Sequence, residues 1–97
     1  MTGMPSRSNR IIVTVIGQDQ VGIIAAVSAV LAEAQANIVD ISQTTLQEFF
    51  AMIMMADLEH ASQSFAEIKR RLNAKGEEMG LRIDAQHEEV FNYMHRV

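Results

Sequence analysis

The chain has 97 residues, 48% of them hydrophobic and 21% charged, with a formal net charge of −4, three histidines and no cysteine. A chain of this length hides only about 60–65% of its unfolded surface, which argues for one domain, one small core and an incentive to bury more by association. The missing cysteines exclude disulfides and thiolate metal sites, and the acidic balance argues against nucleic acid or anionic membrane as the main partner, since phosphate binding draws on Lys and Arg.

Residues 1–9, MTGMPSRSN, are small, polar and aperiodic and read as a disordered lead-in to a single domain over 10–97. They contain no hydrophobic signal-peptide centre, and no apolar run reaches the roughly 20 residues a membrane span needs, so the expected location is cytoplasmic. From Arg10 to Ile16 the residues after the arginine are all β-branched, which predicts a buried strand stopping at Gly17. GQDQVG, Gly17 to Gly22, is a polar turn with a glycine at each end. Ile23, Val27, Val30, Leu31 and Ala34 then recur at helical spacing.

Asn37 restarts the chain as a strand through Ile38, Val39 and Ile41 to Leu46. Gln47 and Glu48 form the turn of a hairpin whose second strand is FFAMIMMADL. Ser62 or Ser64 can cap a second helix, the latter in a capping box with Glu67, and Phe65, Ile68, Leu72 and Met79 form its apolar stripe. Gly80 ends it. Alternation from Leu81 to Gln86 predicts a fourth strand with one wet face. The tail is expected to form a short helix whose Val90, Phe91 and Met94 seal an end of the core.

This order, βαββαβ plus a terminal helix, implies an α+β ferredoxin-like sandwich: a four-stranded antiparallel sheet with two helices on one face and an open face on the other. The strand from Ile38 to Leu46, with only Asp40 as a gatekeeper, invites pairing with a second copy.

Three activities hosted by this fold lack their residues here. An RNA-recognition module needs aromatics on one sheet face, yet Phe49 and Phe50 are adjacent and point to opposite faces. A metal chaperone needs cysteines in the first loop. An acyl-phosphate hydrolase needs an arginine there. What the loop does offer is two glycines and Asp19 leading into a helix N-terminus, whose unpaired N–H groups around Val21 to Ile24 can receive a carboxylate. A small zwitterion suits it, its ammonium meeting an oxygen of Asp19, Asn37 or Asp40. The plainer alternative is that Asp19 caps the helix and the glycines permit a tight turn.

Gly17, Asp19, Gly22 and Ile23, then Asn37, Ile38 and Asp40, then Glu48 and Phe49, resemble the ACT domain, a small-molecule-sensing module of amino-acid metabolism. The resemblance spans Arg10 to Gln86. It is strongest to stand-alone members, through His87, Glu88, Phe91, Asn92, Met94, His95 and Arg96, and extends more distantly to the glycine cleavage system transcriptional repressor. It implies a homodimer joined side by side through its sheets. An amino acid would lie at the seam, between the first loop of one chain and the start of the second strand of the other. The ligand-binding residues so implied are Gly17, Asp19, Val21, Gly22, Ile23, Asn37, Ile38 and Asp40. Asp19 and Asn37 stand where serine-sensing members carry asparagines, Gly17 where they carry histidine, and Val21 where proline is common.

His87, Glu88 and His95 suggest a metal or acid–base cluster, but a strand-end hydrogen bond to a terminal carbonyl for His87 and a helix-dipole contact for His95 explain them more simply. Met52, Met54 and Met55 read as core or interface filler, with Met54 and Met55 on opposite faces. Lys69, Arg70 and Arg71, with Glu67, Glu77 and Glu78 nearby, read as a solvated helix face. No nucleophile or carboxylate couple supports catalysis, and no cofactor is implied. The expected function is a non-catalytic regulatory domain that binds an amino acid and signals to a separate protein. The alternative is a ligand-free interaction module acting through its dimer and open sheet face.

Overall fold

The computed structural model describes residues 9–94. The elements are β1 (Arg10–Gln18), α1 (Ile23–Glu33), β2 (Asn37–Leu46), β3 (Phe49–Asp57), α2 (Phe65–Met79), β4 (Arg82–His87) and α3 (Glu88–Met94). The sheet order is β2-β3-β1-β4, with every neighbouring pair antiparallel. The chain has the expected ferredoxin-like architecture. Of the lead-in expected at 1–9, only Asn9 lies within the described residues, and its carbonyl accepts the N–H of Leu58 at 2.8 Å.

Alternation along the strands sets the two sheet faces. Ile11, Val13 and Val15 of β1, Phe50, Met52, Met54 and Ala56 of β3, and Ile83 and Ala85 of β4 are buried against Ile23, Val27, Val30 and Leu31 of α1 and Ile68 and Leu72 of α2. The opposite parity, Ile12, Thr14 and Ile16 with Phe49, Ile53 and Met55, faces away from both helices. Phe49 and Phe50 therefore do face opposite ways, as do Met54 and Met55, because the side-chain period of a strand is two.

β1 runs one residue beyond Gly17 instead of stopping at it. A side chain at Gly17 would place its Cβ 2.5 Å from Leu81 Cδ2, so the glycine serves strand-to-strand packing rather than a turn. In β2 a bulge between Ile38 and Asp40 resets the phase, so that Ile38 pairs with Ala56 and Ile41 with Met54, both on the helix side.

Ser64, not Ser62, caps α2: its Oγ accepts the N–H of Glu67 at 3.2 Å. Glu67 turns its carboxylate to Arg70 instead of closing the box, and the Arg70 hydrogen bond holds that carboxyl below its usual range. The other cations of the basic turn are also paired. Lys69 reaches Asp84 of β4, and Arg71 crosses to Glu33 of α1 and to Gln63.

One expectation fails. Val90, Phe91 and Met94 do not seal the core, and α3 has no buried residue. The helix instead lies across the face away from α1 and α2, where Phe91 and Met94 stand over Ile12, Thr14 and Ile16 of β1 and Asp84 and Gln86 of β4. The core is already closed by the two longer helices, and the terminal helix covers apolar surface on the other side of the sheet.

A candidate ligand cleft at the first loop

The loop from Asp19 to Gly22 is pinned from two sides. The Asp19 N–H donates to the Glu48 carbonyl at 2.7 Å, tying it to the hairpin turn, and Gln20 Nε2 donates to the Met79 carbonyl at the end of α2 at 3.0 Å. Gly22 is the N-cap of α1, with φ +91° in the left-handed region that glycine adopts without strain, and no side chain caps the helix. Asp19 is thus not the cap, and the first turn of α1 keeps N–H groups without a side-chain acceptor.

Beside this turn lies an open cleft of ≈ 460 Å³. Asp19, Gln20, Gly22 and Ile23 form one wall with Ile24 and Ala25, and Gln43 and Thr45 of β2 form the other with Phe50. Among the described residues no lysine or arginine lines it. An anionic group entering here would meet backbone N–H groups and the positive end of the helix dipole, while Asp19, Gln43 and Thr45 offer oxygens to an ammonium or hydroxyl. That combination suits a zwitterion better than a phosphate.

Of the eight residues expected at the site, the cleft brings together three: Asp19, Gly22 and Ile23. Gly17 packs against Leu81, and Val21 is fully exposed beside the cleft without lining it. Asn37, Ile38 and Asp40 lie at the far end of β2, since Asn37 is opposite Asp57 while Leu46 is opposite Phe49. Nine strand steps of about 3.3 Å separate Asn37 from Leu46, roughly 30 Å. Asn37 instead lines a second cleft of ≈ 190 Å³ with Gln35, Asp57, Glu59 and His60, and Asp40 accepts the N–H of Ile41 at 2.9 Å.

Gln43, Thr45 and Phe50 were not anticipated. The signal was present in the turn: counting back from Gln47-Glu48 pairs Leu46 with Phe49 and Thr45 with Phe50, placing Thr45 and Gln43 on the helix side next to the first loop.

His87 makes a ring contact with Phe65, centroids 4.2 Å apart, in place of the expected carbonyl hydrogen bond. His95 lies outside the described residues, and among the described residues no three of His, Cys, Asp or Glu converge on a metal position. Among the same residues no helix is long and apolar enough to cross a membrane.

The family model of the ACT domain matches residues 9–86. The chain belongs to the ACT domain family. A UPF0237 protein of Methanocaldococcus jannaschii is 52% identical to this ACT domain over 89 residues, covering 92% of this chain and 99% of that one. An ACT domain protein from Streptococcus pneumoniae superposes with a TM-score of 0.73 at 36% identity, covering 84% and 92% of the two chains. A chain assigned as a glycine cleavage system transcriptional repressor gives a TM-score of 0.70 over 79% of this chain and 44% of its own. At 19% identity that likeness shows the fold alone.

Proposed function

We propose that this ACT domain is a non-catalytic, cytoplasmic sensing module that binds a small amino acid in the first-loop cleft at a homodimer seam and thereby changes what a partner protein can engage. Membership of a family whose domains are typically regulatory and ligand-binding supports this reading. The observation that carries it is the cleft: an α1 N-terminus without a side-chain cap, beside Asp19, Gln43 and Thr45, with no lysine or arginine lining it among the described residues.

The two edges of the sheet differ in a way that supports a seam at β2. On β4, Lys69 Nζ takes the Ala85 carbonyl at 2.6 Å and Asp84 takes the Ala85 N–H at 2.9 Å, so that edge is obstructed by side chains. β2 carries neither lysine nor proline and is exposed along most of its length. Two β2 edges paired antiparallel would set the start of one strand beside the end of the other. Asn37 and Ile38 of one protomer would then approach the first-loop cleft of its partner. A ligand bridging the two stabilises one arrangement by no more than its differential affinity for the two states.

A thermal-shift screen of the twenty amino acids tests the reading. A ligand at about a hundred times its Kd stabilises by about 2.7 kcal/mol, so one or a few amino acids should raise Tm by several degrees, and Asp19→Ala and Asn37→Ala should each abolish the rise. A flat screen on a dimeric protein sinks the sensing role. The exposed apolar side chains on the sheet face away from α1 and α2 favour a second reading, an interaction module that needs no ligand.

A further inference from the structure

The face of the sheet away from α1 and α2 is half covered. α3 lies over β1 and β4, while Ile53 and Phe49 of β3 and Leu46 of β2 are bare on the other half. α3 buries none of its own residues, and Val90 and Met94 are each about half exposed. Ile16, Leu46, Phe49, Ile53, Val90 and Met94 are each 47–71% exposed. Two apolar surfaces thus sit side by side: a raised helix over one half and a flat strand pair on the other.

We propose that this face is closed by a second copy of the chain, the α3 of each protomer seated on the bare β3/β2 half of the other. A two-fold axis lying between the copies and running along the strands carries the β1/β4 half of one onto the β3/β2 half of its partner. The raised half of one then meets the flat half of the other, and the contact is the same in both directions, as an isologous interface requires. The assembly is a sheet, a layer of two α3 helices, and a second sheet.

The area supports a second copy as the occupant. The six named side chains expose on the order of 600 Å² of apolar surface, before their polar neighbours Ser42 and Thr44 are added. A standard interface takes about 800 Å² from each partner, of which about 65% is apolar in homodimers. Ser42 and Thr44 are short enough to lie under a helix without clashing, and the charges of the half-face they share with Ile53 and Ala51, Asp40 and Asp57, stand together at its far end, where Arg10 reaches Met55. This interface does not use the β2 edge and does not depend on the ligand reading. The axes of the two contacts do not meet, one lying over the middle of the sheet and the other beyond β2, so together they would build an open row of copies and not a closed tetramer.

Light scattering on the eluting wild-type chain and on Ile53→Asp and Phe49→Asp tests the proposal. Both positions are exposed, so the variants should fold, which circular dichroism verifies. In both the mass should fall, from dimer to monomer, or from an open row of copies to the β2-edge dimer where that seam also forms. Because the chain has no cysteine, a 1:1 mixture of the Ile53→Cys and Val90→Cys variants should form a mixed disulfide at least tenfold faster than Ile53→Cys mixed with Glu33→Cys on the opposite layer. A monomeric wild type, which would leave the face to a different protein, overturns the proposal. So does an unchanged mass in folded Ile53→Asp, or a mixed disulfide no faster than the control.

Discussion

Gln35 and Gly80 occupy the same position in two copies of one helix-ending motif. After α1 the N–H of Ala36 donates to Leu31 O at 2.9 Å and that of Gln35 to Ala32 O at 3.0 Å. After α2 the N–H of Leu81 donates to Gly76 O at 2.8 Å and that of Gly80 to Glu77 O at 3.4 Å. Both residues are left-handed, with φ +59° at Gln35 and +72° at Gly80. The motif wants glycine there because a Cβ crowds the neighbouring carbonyl, at about 1 kcal/mol.

Gln35→Gly should therefore stabilise the domain by about 0.5–1 kcal/mol, and Gly80→Ala should destabilise it by about 1 kcal/mol. A Cβ at Gly80 meets nothing within 4 Å, so that cost is conformational and not steric. Urea melts of both variants check the pair, and equal stability of Gln35→Gly and wild type would refute the assignment.

Gly76 presents the opposite case. Helix propensity alone predicts a gain of about 1 kcal/mol for Gly76→Ala. The added Cβ, however, would fall 2.8 Å from the Leu81 carbonyl oxygen and 3.1 Å from Ile83 Cγ1. Backbone cannot rotate aside as a side chain can, so overpacking should dominate and the variant should lose about 1–3 kcal/mol. Thermal denaturation that shows a higher Tm for Gly76→Ala would contradict the packing of α2 on β4.

Acid should reveal the Lys69–Asp84 contact. The hydrogen bond from Lys69 holds the Asp84 carboxyl below its usual range, helped by the Ala85 N–H and the charges of Lys69 and Arg82, against partial desolvation. A carboxyl whose pKa is lower folded than unfolded adds stability above its unfolded value, near 4, and loses it as pH falls through the folded value. Both partners are more than a third exposed, so the contribution is about 0.5–1 kcal/mol. Asp84→Asn should be less stable than wild type by that amount at pH 7, with the gap narrowing below pH ~4. Melts across that range check the sign, and a gap that persists in strong acid would assign the loss to packing.

Most of the fold was legible because residue patterns here match their periods. The β-branched run of β1 and the turn signal at Gln47-Glu48 gave strands close to those observed, and Ser64 and Gly80 bracket α2 as their chemistry requires. The misses share a cause in long-range packing. Gly17 looks like a turn residue until Leu81 is placed against it. Val90, Phe91 and Met94 look like core residues until α1 and α2 have filled the core. For the cleft, the first-loop wall was readable from Asp19 and Gly22, whereas Gln43 and Thr45 required the hairpin register. Asn37 lies at the other end of β2 from its own chain's cleft, and its expected contact is with the cleft of a partner chain.

Adjacent methionines on β3 give the protein a built-in pair of reporters. Met54 is sealed among the helices, while the sulfur of Met55, on the other face, lies 3.7 Å from Arg10 Nη1. With methyl-labelled methionine, a ligand bound in the helix-side cleft would be expected to disturb the resonance of Met52, across the sheet from Gln43. A partner on the opposite face would shift Met55 and Met94 first. The two events proposed for this domain should thus be separable in one spectrum, through Met52 on one face of β3 and Met55 on the other.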